Sequence, residues 1–302
     1  MKVLVVGATG FVGQQVATQL RAGRHDVRAL IRGGASHPKA PALGKHGIEI
    51  VAGDLTDAAS LANACSGMDI VITTATSMPN TSAELLENVD RRGGLALIEA
   101  AERARVKRFV YTSFTGNIEI PCALTRAKRE CERRAHSSSM QAFVLRPSFF
   151  MEVWLTPNLG FDPLNGKARV YGSGEAKISY VSAFNVADFA CAVATTREPD
   201  NRVLEIGGTD ALSQLEVVSL FEQRLKTHIV LQFVPEEALE QQHRSSDPVQ
   251  QTFAALTLGA ARGDVIAGAR ELAAHYQVHL HSVADYASSF ASPLGQSATM
   301  QR

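Results

Sequence analysis

Gly7-Ala8-Thr9-Gly10-Phe11-Val12-Gly13 is the stretch that decides how this chain is read. It follows the apolar run Val3-Leu4-Val5-Val6 and opens a segment in which Val12, Val16 and Leu20 fall four apart. The order is strand, glycine turn, amphipathic helix. Gly7 permits a tight turn off the strand. Gly10 leaves the backbone open to close approach, and Gly13 lets the helix pack near the sheet. Amide groups at the helix start, at the positive end of its dipole, suit a pyrophosphate. Gly7, Thr9, Gly10, Phe11, Val12 and Gly13 are therefore the expected dinucleotide cradle.

Outward from that turn, short apolar runs alternate with helical patterns. Strands are expected at 27–31, 48–51, 70–73, 108–112 and 143–145. Helices are expected at 12–22, 57–65, 84–105 and 124–136, with Thr56 or Asp57 capping the second. Strands that are apolar throughout, separated by helices, indicate a parallel sheet covered on both faces. The expected fold is α/β, a Rossmann doubly wound parallel sheet with a smaller C-terminal substrate lobe. After Pro147 the stretch up to Gly174 is punctuated by Pro and Gly; a helix at 186–195 and a strand at 203–206 follow. Ser213 with Glu216 three residues on is a capping-box pattern, and 235–277 reads as mostly helical. The expected organisation is a nucleotide domain at 1–150, a mixed lobe at 151–291 with segments returning to the core, and a flexible tail at 292–302.

Composition narrows the function classes. The chain has 302 residues, 45% of them hydrophobic, and a formal net charge of zero. That balance gives no bulk electrostatic reason to expect nucleic acid or a membrane surface as partner. No run of about 18 apolar residues suggests a membrane span. Cys65, Cys122, Cys131 and Cys191 lack C-x-x-C spacing and read as reduced thiols of a cytoplasmic protein, a monomer or homodimer. His275, His279 and His281 share no single face with a supporting carboxylate, so no metal is expected.

The end of the second strand tests which dinucleotide is meant. A carboxylate there suits ribose hydroxyls; this chain has Arg32, whose fork of donors suits a 2′-phosphate. His37 and Lys39 add positive charge nearby. NADP(H) is the expected cofactor. Asp54-Leu55 falls at the adenine edge, where Asp54 either accepts from the adenine amino group or caps the next helix. Thr74, Ala75 and Thr76, after the fourth strand, are small enough to leave room for the ribose and nicotinamide halves.

Taken in order, several pieces resemble the short-chain dehydrogenase/reductase superfamily, in its atypical NmrA-like and isoflavone-reductase-like branches. They are the glycine loop, Gly53-Asp54-Leu55, Val89-Asp90-Arg91-Arg92-Gly93, Phe109-Val110-Tyr111-Thr112-Ser113 and Arg126-Ala127-Lys128 with Glu132. Leu145-Arg146-Pro147, Phe149-Phe150-Met151, Asn185-Val186-Ala187-Asp188 and Leu204-Glu205-Ile206-Gly207-Gly208 continue the series. The resemblance spans roughly residues 1 to 235. It implies that Lys128 faces the nicotinamide ribose, that Ser113 hydrogen-bonds substrate or nicotinamide, and that Ser148 and Phe149 lie over the cofactor.

One departure bears on activity. Ordinary members carry a tyrosine four residues before the lysine; here that position is Leu124, which has no titratable group. Two expectations stand side by side. One is an NADPH-dependent oxidoreductase acting on a small carbonyl, quinone or conjugated acceptor, with Lys128 and Ser113 as its catalytic residues. The other is a non-catalytic NADP(H)-binding redox sensor of NmrA type. Lys128 either binds ribose hydroxyls and relays a proton, or only anchors ribose, or forms a helical ion pair with Glu132. Tyr180 is a remote substitute for the missing phenol, with a buried core role as its alternative.

Overall fold

A computed structural model describes residues 1–199 and 201–290; the expected tail at 292–302 lies outside the described residues. The chain divides into two compact units. The first comprises residues 1–114, 121–146 and 186–204, and the second residues 115–120, 147–185 and 205 onward.

Six strands carry the first unit: β1 Lys2–Val6, β2 Asp26–Ile31, β3 Glu49–Ala52, β4 Ile70–Thr73, β5 Arg108–Thr112 and β6 Gln141–Pro147. Their order is β6-β5-β4-β1-β2-β3, with the strand Arg202–Ile206 beside β6. Pairing among the six is parallel, with Val3 opposite both Val27 and Ile70. The chain reverses its direction of winding between β1 and β4, so a crevice opens beyond their carboxyl ends. Leu4, Val71, Phe109 and Tyr111 pack with Leu61, Leu97, Ile98 and Cys131 in one buried cluster. The first helix, Phe11–Ala22, buries Gly13, Val16, Ala17 and Leu20. Gln19 on its flank donates to Asp188 of the helix Ala183–Thr195 at 2.9 Å.

The segment read as one helix at 84–105 forms three successive pieces. A short α-turn, Ala83–Leu85, leads into a π-helical stretch, Leu86–Gly93, and then an α-helix, Gly94–Arg103. The wider turn shifts the helical phase and brings Asp90 inward, where it is buried.

In the second unit the Pro- and Gly-punctuated stretch holds more regular structure than its composition suggests. Lys167–Tyr171 pairs antiparallel with Phe161–Asp162 and parallel with Val230–Val234. The Ser213 capping box forms in full. Ser213 Oγ accepts from the Glu216 amide at 3.1 Å, and the Ser213 amide donates to the Glu216 carboxylate at 2.7 Å. The region from 235 to 277 is helical over Glu236–His243, Pro248–Arg262 and Ala269–His275. Phe221 sits between Phe161 and Phe290 with ring centroids at 4.9 and 5.4 Å, anchoring this unit's core.

Candidate cofactor and active site

The glycine turn lies at the carboxyl end of β1. Gly7 has φ of +89°, a conformation that L side chains rarely adopt. The Gly10 amide donates to the Gly7 carbonyl at 2.9 Å and closes the turn. A Cβ on Gly13 would stand 2.2 Å from the Gly7 oxygen and 2.7 Å from Thr74 Oγ1. The protein interior therefore requires glycine at 13. Gly10 differs: it is exposed, and its Cβ would meet only the Gly7 oxygen, at 3.2 Å. The helix that follows has no side-chain cap and no acid in its first turn, so its positive end faces outward without a competing carboxylate. Lys39 Nζ donates to the Thr9 carbonyl at 2.9 Å, placing a cation beside the turn. Phe11 and Val12 are half-buried.

Around the end of β2, Arg32 extends into solvent with its side chain 75% exposed. Its Nε is 3.9 Å from the Asp54 carboxylate, a loose contact. Asp54 Oδ1 accepts from the Thr56 amide at 2.8 Å and its hydroxyl at 2.7 Å, so this carboxylate closes a turn. The helix cap is Asp57, which accepts from the Ala59 amide at 3.0 Å. Leu55 packs against the buried cluster.

At the end of β4, the Thr74 amide donates to the Val6 carbonyl at 3.0 Å, and Ala75 packs on the core. Thr76 Oγ1 donates to Asp90 at 2.7 Å, and the Ser77 amide and hydroxyl donate to the other carboxylate oxygen at 3.1 and 2.5 Å. Asp90 thus ties down the loop that follows β4. The sequence offered Asp90 only as part of a family resemblance, because its inward placement depends on the π turn.

The helix Ala123–His136 supplies the remaining groups. Lys128 is 6% exposed; its Nζ donates to the Thr112 carbonyl at 3.2 Å and lies 5.2 Å from the centre of the Tyr111 ring. One turn earlier, Leu124 is buried. The buried Thr112 Oγ1 has no hydrogen-bond partner. Ser113 Oγ donates to Glu132, and Arg129 approaches the same hydroxyl at 3.3 Å. Glu132 also accepts from Arg129 at 2.5 Å and from Arg146 at 2.6 Å. Burial pushes the Glu132 carboxyl up, but the bonds from Arg146 and Ser113 and the charge of Arg129 outweigh it and leave its pKa below the ordinary value. The helical pair between Lys128 and Glu132 does not form: two guanidinium groups occupy the carboxylate.

Ser148 and Phe149 belong to the second unit. Ser148 Oγ is buried without a partner, and Phe149 packs edge-on to Trp154 with centroids 4.6 Å apart. Tyr180 is buried there as well. The backbones of His279 and His281 are pinned by Asn185, at 2.7 and 2.8 Å. Among the described residues no group of three potential metal ligands comes together, and no helix is long and apolar enough to cross a membrane.

A parallel sheet in this strand order, with a glycine turn at the point where its winding reverses, defines a Rossmann-type α/β protein. The NmrA-like family model matches residues 1–259, and the chain belongs to that family. It is 30% identical over 225 residues to a photosystem II assembly factor, Ycf39, of Trieres chinensis, covering 74% of this chain and 69% of that protein. It is 31% identical over 262 residues to an isoflavone reductase homolog of Zea mays, covering 81% of each. Its fold is shared with an NADPH-dependent quinone oxidoreductase of Escherichia coli solved with NADPH. The TM-score there is 0.78 at 21% identity, over 96% of this chain and 100% of that one.

Proposed function

We propose that the chain binds NADP(H) along the carboxyl edge of β1, β2 and β4. The reading adds that it acts as a reductase of a small carbonyl, quinone or conjugated acceptor. Gly10 carries this reading. A Cβ there would press only on the Gly7 carbonyl oxygen, at 3.2 Å, a far milder demand than at Gly13, whereas an approaching pyrophosphate needs the position open. Arg32 supports the phosphorylated form of the cofactor, since its exposed fork is available to a 2′-phosphate. The reductase and quinone oxidoreductase among the similar proteins support the reaction class.

The nicotinamide, when bound, supplies the hydride. Lys128 would hold ribose hydroxyls with the donors that the Thr112 carbonyl leaves over, and would be the proton source in place of the absent tyrosine. Ser113, its proton directed at Glu132, presents a lone pair that would accept a hydrogen bond from the nicotinamide carboxamide. Thr112 Oγ1, buried and unpaired, is a further donor on the same strand end.

A second reading, a non-catalytic NADP(H)-binding sensor, draws on Leu124 and on the committed Ser113 hydroxyl. The similarity to an assembly factor favours it too. One experiment separates the two. The purified chain is titrated with NADPH by calorimetry, then mixed with NADPH and a panel of quinones and enones while cofactor absorbance is followed. Binding with turnover supports the reductase. Binding with complete inertness supports the sensor, and absence of binding overturns both.

A further inference from the structure

The three-stranded sheet of the second unit has Val230–Val234 at one edge, Lys167–Tyr171 in the middle and Phe161–Asp162 at the other edge. The Val230 amide donates to the Gly166 carbonyl at 2.9 Å, and the Val234 carbonyl accepts from the Gly172 amide at 2.9 Å. Val230, Gln232 and Val234 thus turn their backbone groups toward the middle strand. Leu231 and Phe233 alternate with them and present theirs at the open edge, where the described residues offer no partner. No residue of the strand is buried; Val230 and Phe233 are 63% and 50% exposed. The register sets Leu231 and Phe233 beside Ala168 and Val170, which are buried, and residues opposite one another in a ladder share a face. Phe233 therefore lies on the core side of the sheet, yet the core layer stops short of it.

Edge strands are commonly guarded by a charge, a proline or a bulge that discourages pairing. Both edges of the larger sheet carry charges: Glu49 in Glu49–Ala52, and Arg202 and Glu205 in Arg202–Ile206. Val-Leu-Gln-Phe-Val carries none. We infer that this strand pairs antiparallel with the same strand of a second copy of the chain, about a twofold axis at Gln232. A contact of that kind must be complementary to itself, and this sequence is. Val230 falls opposite Val234, Leu231 opposite Phe233, and Gln232 opposite its own counterpart. Leu231 and Phe233 hold the unused backbone groups in both copies, so each such pair exchanges two hydrogen bonds. A slip of one residue would set those groups against groups already spent on the middle strand. The pairing also lays Leu231 of one copy against Phe233 of the other on the core side, covering the ring that the single chain leaves open. Charge agrees with the antiparallel sense. Exposed Lys226 precedes the strand and exposed Glu237 follows it, so the basic entry of each copy meets the acidic exit of the other. The inference goes beyond the reading above and stands without the nicotinamide cofactor.

The full chain, without nucleotide, is examined by sedimentation equilibrium. A reversible monomer–dimer equilibrium is expected at concentrations up to about 100 µM. Gln232→Lys and Gln232→Glu each set like charges across the twofold axis and should each weaken the dimer at least about fivefold. Mixed in equal amounts, the two variants should pair with one another at least as tightly as wild type does. Gln232→Cys should form an intermolecular disulfide under mild oxidation that the wild-type chain does not, since a non-hydrogen-bonded antiparallel pair brings its Cα atoms to about 4.5 Å. A monomer at every concentration overturns the inference. A dimer that tolerates both charges, a mixture that fails to restore it, or a Gln232→Cys chain that does not cross-link overturns it equally. Gln232 is exposed, so these variants probe the contact and leave the fold intact. Because no NADPH is present, failure here is distinct from failure of the cofactor reading.

Discussion

The backbone of Gly13 passes so close to Gly7 that a methyl group on the former would sit 2.2 Å from the carbonyl oxygen of the latter. Gly10, three residues earlier, meets the same oxygen at 3.2 Å and nothing else. The two glycines therefore answer to different demands. Gly13→Ala should lower stability by about 3 kcal/mol through overpacking against backbone that cannot yield. Gly10→Ala, with extended backbone that alanine tolerates, should cost at most about 1 kcal/mol. It should nonetheless weaken NADPH roughly tenfold, because its methyl group enters the pyrophosphate's path. Urea denaturation and calorimetry on the pair check both halves. Equal destabilisation by the two variants would make Gly10 a structural residue.

Arg32 touches Asp54 only loosely and is otherwise in solvent. Arg32→Ala should leave stability within about 0.5 kcal/mol, as for other exposed positions. Its effect should fall on binding: roughly tenfold or more weaker NADPH, with NADH little changed. Similar weakening of both nucleotides would show that the arginine shapes the loop and does not read the phosphate.

Glu132 is a buried carboxylate between two guanidinium groups and a hydroxyl. Its pKa is depressed in the folded chain, so its stabilising contribution is present above the unfolded value, near 4.3. That contribution is lost as pH falls through the folded value. Glu132→Gln should cost about 3 kcal/mol at neutral pH by removing the buried carboxylate that Arg129 and Arg146 share. The gap from wild type should narrow below about pH 4. A gap that stays constant down to pH 3 would mean that packing, not charge, accounts for the loss.

Lys128 carries a buried ammonium group with a single carbonyl acceptor in the protein. Holding it there costs desolvation that one hydrogen bond offsets poorly. Lys128→Met, similar in length and apolar, should therefore fold with stability equal to or above wild type by about 1 kcal/mol. NADPH affinity, and any turnover, should drop. Unchanged binding and activity in this variant would remove Lys128 from the site.

Much of the first unit was legible along the chain. Val3 to Val6, the glycine turn and the spacing of Val12, Val16 and Leu20 identify β1, the loop and the first helix, because each signal is complete within about twenty residues. The capping box at Ser213 and Glu216 is as local, and it forms as its residues suggest. The matched family follows from the same ordered local pieces.

Other features depend on residues that meet only in three dimensions. Lys167–Tyr171 reads as loop until Val230–Val234, far along the chain, supplies its backbone partners. Asp90 turns inward because the helix passes through a π turn, a change of phase that heptad spacing does not encode. The choice of Arg129 and Arg146 over Lys128 as partners for Glu132 is likewise tertiary. Sequence offers all three cations, and burial together with the position of β6 selects the two whose forks reach the carboxylate. Periodicity and turn chemistry are short-range and are written in consecutive residues; strand pairing and the partnering of buried charges are settled only when distant segments compete for the same space.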